Sequence, residues 1–298
     1  MRLIRVLLLG LVYAIAAPLS AQPTSAEAWI ALARTQLQQG EAGDAIDSAE
    51  EAVKLAPENA QAHLWLGNAL GVRIGQVNML RKVTLAPSLR DAFEAAVRLD
   101  PNLFSAREAL LQFYLQAPAA MGGGVEKAKA QVAETLRRNP VRGHLMQASI
   151  NRFEKDDAAR DRSVDAALAA VPGLPADDID SRMSLGQTLV WLERYSQARA
   201  FFLQWANDHP EAAAAHYQLG RMSAISGQYA EDGIAGLKRY LQPGWTLRPT
   251  DPSPAFAWWR LGQIQAKQGD KATARASFEA ALRLEPANAE AKKSLQAL

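Results

Sequence analysis

Apolar and small residues recur along this chain in paired amphipathic runs, and a proline closes most of the second runs. These prolines are Pro57, Pro101, Pro140, Pro172, Pro210 and Pro286, following stretches such as AEEAVKLAP, FEAAVRLDP and FEAALRLEP. Between them lie WLGNAL, SLGQTLVW, QLGRM and RLGQIQ. Within a run the apolar positions fall on one helical stripe, and proline stops the helix because it lacks the N–H and clashes with the preceding turn. A period in the thirties with this punctuation predicts tandem helix pairs, none of which can bury its apolar face alone. The expected fold is all-α, a right-handed superhelical solenoid of about seven helix pairs.

With Ala26 as position 1, Trp29, Leu32, Ala33, Ala45, Ala52 and Pro57 occupy positions 4, 7, 8, 20, 27 and 32. This pattern resembles the tetratricopeptide repeat, with its bulky residue at 4, Leu-Gly at 7 and 8, Ala at 20, Phe at 24, Ala at 27 and Pro at 32. Leu185-Gly186 with Ala198 and Phe202 repeats it, as do Trp258, Leu261-Gly262, Ala274, Phe278, Ala281 and Pro286. The predicted units are 26–59, 60–103, 104–142, 143–174, 179–212, 213–243 and 255–288, with 289–298 as a capping helix. Leu111 and Ile150 stand where the resemblance calls for a small residue, so the third and fourth pairs are expected to splay or diverge. The stretch around FYLQAP and the following glycines is similar to a group of exported bacterial tetratricopeptide proteins; that implies fold and export but supplies no reaction.

The spacing is uneven. Pro57 and Pro101 lie 44 apart, which places about ten extra residues around Gly71–Pro87; these lengthen the two helices or add a turn between them. In QAPAAMGGGVEKA, Pro118 and Gly122–Gly124 preclude a continuous helix, and the next one restarts near Val125. The segment QPGWTLRPTDPSP, with its prolines and Trp245, predicts an ordered irregular loop between the last two units.

Residues 1–21 read as a secretory leader: Arg2 and Arg5, an apolar run interrupted by Pro18, then Ser20-Ala21 before Gln22. Without that leader, basic and acidic residues balance at 31 each. No basic excess favours nucleic acid, and no later segment has the roughly 20 apolar residues needed for a stable membrane span. The absence of cysteine excludes disulfides, thiolate metal sites and a lipidated N-terminal Cys. The expected location is outside the cytoplasm, in the periplasm, with the oligomeric state open.

Candidate chemistry is sparse. The four histidines, His63, His144, His209 and His216, are unpaired at metal-ligand spacing, and His63 and His216 fall at a packing position. Asp156-Asp157 and Asp177-Asp178 suit helix caps better than acid–base catalysis. No nucleophile elbow is present. The reading is therefore a non-catalytic scaffold with no cofactor and no metal. In the resembled family the first-helix face lines a concave groove, which here implies contacts to a protein or peptide from Asn68, Gln112, Asn151, Gln187, Tyr217, Arg221 and Trp259. Carboxamides and arginine hydrogen-bond a peptide backbone, while apolar neighbours hold its side chains. The alternative is a small-ligand or cell-wall-fragment site at Gly122, Gly123, Gly124 and Lys127, where N–H groups before a helix can receive an anion.

Overall fold

The computed structural model describes residues 23–298; the expected leader lies outside them. All regular structure among the described residues is helical, in fifteen α-helices and two short 3-10 turns. The protein is an all-α solenoid of tandem antiparallel pairs. Two compact units divide near Ala106 and Arg107.

The first unit holds α1 (Ala26–Gln39), α2 (Ala42–Leu55), α3 (Ala60–Gln76) and α4 (Met79–Leu99). Ser25, Asn59 and Asn78 accept from N–H groups in the first turns of α1, α3 and α4. These caps satisfy donors that the helix itself cannot. Gly40, at φ 82°, closes α1 in the left-handed region. The insertion lengthens the second pair: α3 and α4 run 17 and 21 residues, against 14 for α1 and α2. Pro87 is accommodated inside α4. α5 (Phe104–Gln116) spans the division.

The second unit continues with α6 (Val125–Arg138), α7 (Pro140–Phe153), α8 (Asp157–Ala170), α9 (Ile179–Trp191), α10 (Tyr195–Asp208), α11 (Ala213–Ser226) and α12 (Ala230–Tyr240). It ends with α13 (Pro254–Lys267), α14 (Lys271–Leu284) and α15 (Ala289–Gln296). Asp156 caps α8 and Asp178 caps α9, which accounts for both aspartate pairs. Leu111 and Ile150 are buried, and α7 packs closely on α8 without splaying.

One contact recurs. The Leu-Gly glycine of a first helix faces the Phe ring of its partner: Gly67 against Phe93, Gly186 against Phe202, Gly262 against Phe278. A methyl added at these glycines would lie 2.4, 2.3 and 2.5 Å from ring carbons. That distance forbids a side chain and explains why glycine and phenylalanine occur together at these two positions.

The fourth pair departs from the sequence reading. In four other places the next first helix begins three residues after the proline, at Ala60, Phe104, Ala213 and Ala289. α7 instead begins at Pro140 itself, with Asn139 as its cap. The unit starts three residues before the boundary expected at 143, because proline at N1 lets a helix start with no intervening turn. Gly143 then lies close to Leu136, where an added methyl would sit 2.6 Å from that side chain.

Loop 242–253 is ordered by side chains. Tyr240 donates to Pro252 O, Trp245 Nε1 donates to Arg239 O at 3.1 Å, and Arg248 pairs with Asp251 and Asp180. Burial pushes the Tyr240 phenol far above its usual range.

Candidate functional site

The first helices α7, α9 and α11 lie side by side in the second unit. Their shared face forms an open cavity of about 490 Å³, lined by Ser149 and Arg152 of α7, Arg160 of α8, Gln187 and Trp191 of α9, and Arg221 of α11. A smaller cavity of about 340 Å³ adjoins it, shares Ser149, Ser184 and Thr188, and adds Glu108 and Gln112. A third, more apolar hollow of about 620 Å³ includes Phe201 and Trp205. Its arginine, Arg182, is engaged by Pro175 O and Asp178 O, which leaves the first cavity as the one with spare charge.

That charge comes from Arg152 and Arg221, with Arg260 close enough to act on Arg221. Seven arginines of the second unit have carboxylate partners: Arg137 and Arg138 with Glu134, Arg142 with Glu108, Arg160 with Asp161, Arg194 with Asp165, Arg199 with Asp232, and Arg248 with Asp180 and Asp251. Arg152, Arg221 and Arg260, in and beside the first cavity, have no carboxylate partner among the described residues. Arg152 lies over the Trp191 ring at 5.0 Å, and Trp191 is 60% exposed. Arg260 lies over Trp259 at 4.2 Å, and its Nε is buried without a hydrogen-bond partner. Among the described residues, Arg221 reaches only Gln218 Oε1, at 3.5 Å. Burial, and then the charge of Arg260, pull the Arg221 guanidinium below its usual range. It remains a cation at any accessible pH.

The residues expected to line a binding face do not act alike. Gln187 and Arg221 meet at the main cavity, and Gln112 lines its neighbour. Asn68 is half-buried in the first unit. Tyr217 and Trp259 are packing residues, at 4% and 7% exposure. Tyr217 rests on Tyr240 at 5.3 Å, and Trp259 Nε1 donates to Ser294 Oγ of α15 at 2.9 Å. Asn151 is buried as well. Its Nδ2 donates to Ser163 Oγ at 3.0 Å, and its Oδ1 accepts from Gln147 Nε2.

The Asn151–Ser163 tie has two counterparts. Ser48 Oγ donates to Gln36 Oε1, and Ser277 Oγ donates to Gln265 Oε1, both at 2.7 Å and both twelve residues apart. Asn151 therefore corresponds to Gln36 and Gln265, two positions further along the repeat than the groove-facing position 9. The earlier start of α7 is the cause. Position 9 of this unit is Ser149, which does line both cavities. Arg152 and Trp191 were the residues missed by the sequence reading; each lies on the last turn of a first helix, one helix apart, which is the signal that would have found them.

The glycine run forms a turn whose donors are spent. Gly122 N–H donates to Ala119 O, Gly123 N–H to Pro118 O and Gly124 N–H to Tyr114 O, at 2.8 to 3.1 Å. Lys127 Nζ donates to Gly122 O at 2.9 Å and lies over the Tyr114 ring. A methyl on Gly123 would sit 1.8 Å from Ala117 O, so the glycine is needed for close backbone approach. The three glycine N–H groups expected to receive an anion are thus engaged by carbonyls of the chain itself.

His63 Nε2 lies 2.8 Å from Pro57 O, and His216 stacks against Trp245 at 5.7 Å. No group of three His, Asp or Glu among the described residues is arranged to hold a metal ion. No described helix is long and apolar enough to cross a membrane.

Tetratricopeptide family models match residues 19–70 and residues 255–288. Those two segments carry tetratricopeptide repeats. No curated protein matches its sequence. Among solved structures, it is similar to a tetratricopeptide repeat protein from Parabacteroides merdae at 15% identity, over 92% of this chain and 98% of that one, with a TM-score of 0.40. YrrB, a tetratricopeptide repeat protein with an unusual peptide-binding site, matches at 15% identity over 83% and 97% of the two chains, TM-score 0.38. PilW, a type IV pilus biogenesis factor, matches at 16% identity over 91% and 98%, TM-score 0.44. The matched tetratricopeptide segments include α1, α2 and the start of α3 at one end, and α13 with α14 at the other.

Proposed function

We propose that this protein is an exported, non-catalytic scaffold that binds an extended protein segment along the concave face formed by its first helices. The observation that carries the reading is the set of cations left without carboxylates on that face: Arg152 and Arg221 at one cavity, with Arg260 acting on Arg221 from α13. Holding a half-buried guanidinium without a counter-ion costs free energy that a carboxylate on a partner recovers. Gln187 and Ser149 supply hydrogen bonds to a peptide backbone, and the exposed Trp191 supplies an apolar platform. The preferred partner is thus a peptide segment with acidic side chains. Export rests on residues 1–21, and the length of the mature chain is the simplest check of it: mass measurement should place the mature N-terminus near Gln22.

A photo-crosslinking residue at Gln187, expressed in the native cell, tests the binding face. The expected result is one dominant crosslinked protein, with the crosslink in an acidic segment. That segment, made as a peptide, should bind about tenfold more weakly to Arg152→Ala or Arg221→Ala. Asn151→Ala should lower stability by about 1–2 kcal/mol, because it orphans Ser163, yet leave affinity unchanged. If both arginine variants bind the segment as well as the parent protein, the reading fails.

A further inference from the structure

The lengthened second pair ends in a tip that the binding face does not explain. No residue from 71 to 85 is buried, although the helices on either side of this stretch are anchored by Leu70, Ala86 and Leu89. The seven extra residues of α4 relative to α2 extend it by about 10 Å at 1.5 Å per residue. The base of the tip is fixed, since Gln76 Nε2 donates to Gly40 O at 3.2 Å. The projection is therefore a held helical corner.

Its chemistry is one-sided. Leu80 is 78% exposed and Met79 68%, and Val72 and Val83 are exposed beside them. The antiparallel pairing of α3 with α4 brings the last turn of α3 alongside the first turns of α4, so these four share the corner. Arg73, Arg81 and Lys82 flank them. From Asn59 to Arg90 the chain contains no aspartate or glutamate, although 31 of its 298 residues are acidic. None of these three cations pairs with a carboxylate among the described residues. The N-terminus of α4, with its partial positive charge, lies at the same corner.

We infer that this corner is a membrane-surface anchor: Met79 and Leu80 enter the boundary between headgroups and acyl chains, and Arg73, Arg81 and Lys82 bind anionic lipid headgroups. An apolar apex ringed by basic residues on a projecting corner is the arrangement that favours an anionic bilayer surface. A protein partner is the poorer fit, because the corner has no aromatic anchor and no carboxylate for the mixed charge pairing of such interfaces. The attachment is peripheral, consistent with the lack of a described helix both long and apolar enough to span a bilayer. It does not rest on the peptide-binding reading.

The test is vesicle co-sedimentation of the chain beginning at Gln22, which contains every described helix and omits the apolar leader, itself able to partition into lipid. Vesicles of phosphatidylglycerol and phosphatidylcholine are compared with pure phosphatidylcholine. The expected result is binding to the anionic vesicles at least tenfold stronger than to the neutral ones, falling as salt is raised. Arg81→Gln and Lys82→Gln should each weaken it about fivefold. Met79→Asp with Leu80→Asp should abolish it; circular dichroism would verify that this variant keeps its helices, as substitutions at such exposed sites should. Arg221→Ala should leave vesicle binding unchanged, which separates this anchor from the peptide-binding face. Equal binding to both vesicle types, no sedimentation with either, or undiminished binding by the Met79→Asp, Leu80→Asp variant overturns the inference. So does capture of a soluble protein that depends on Leu80 while anionic vesicles are not bound.

Discussion

A single hydrogen atom at Gly262 decides how closely α13 approaches α14, because Phe278, 1% exposed, fills the space where a methyl would be. Gly262→Ala would gain about 1 kcal/mol of helix propensity and lose about 1–3 kcal/mol to overpacking. The expected outcome is net destabilisation by about 1–2 kcal/mol in urea titration. Gly43→Ala supplies the opposite case: nothing lies within 4 Å of its added methyl, so it should be neutral or stabilise by a few tenths of a kcal/mol. If both variants shift stability in the same direction, the close approach is not what selects glycine. This pairing was legible in the sequence because Gly at position 8 and Phe at position 24 are fixed by sterics and recur. The role of Asn151 was not. Counting three residues from proline to helix holds for most units, and Pro140 breaks it by starting α7 directly. That shift turned a buried tie to Ser163 into an apparent groove residue and hid Ser149. Tyr217 and Trp259 misled for a related reason. A polar tip on an aromatic ring does not tell a sequence whether Ser294 or solvent will receive it.

The insertions were visible as elements, and their consequences depended on what packs against each. Glycine and proline in residues 117–124 forced a break, and the helix restarts at Val125. What the sequence left open was where the glycine N–H groups would point: Ala119 O and Pro118 O in the turn take two of them, and Tyr114 O of α5 takes the third. Loop 242–253 is held on α11 and α12 by His216, Trp245 and Arg239, with Arg239 over the Trp245 ring at 4.5 Å. Burial, and then the charge of Arg239, hold the His216 imidazole below its ordinary pKa. A histidine with a depressed folded pKa favours the folded state when neutral. That contribution is complete above the unfolded value near 6.5 and is lost as pH falls towards the folded value. Between pH 7.5 and pH 5 the melting temperature should therefore fall, and amide exchange in loop 242–253 should rise. His216→Gln should flatten the part of this slope due to His216, leaving the share from His144, whose imidazole pKa is also lowered by burial. A slope unchanged in His216→Gln would show that the loop does not depend on the neutral ring.

Stability in a tandem array is close to a sum of helix-pair and nearest-neighbour terms, so the ends matter more than their length suggests. At the C-terminal end, α15 covers the last full pair. Ala291 is fully buried, Leu295 and Leu298 pack beside Trp259 and Phe278, Ser294 receives Trp259 Nε1, and Lys271 Nζ donates to Leu298 O at 2.7 Å. Removing residues 289–298 would expose the apolar face of α13 and α14 and leave the Trp259 indole without its acceptor. The expected loss is local. Hydrogen exchange should speed up across α13 and α14 and fade through α11 and α12, while α7 and α8, several neighbours away, keep their protection. The binding face of Arg152, Gln187 and Arg221 should survive at low temperature, because none of its residues touches α15; only Arg221 would sense the change, through the release of Arg260 from Trp259. Uniform loss of protection from α7 to α14 would instead mean that these helices unfold as one block, and that the neighbour couplings are stronger than the separate pairs.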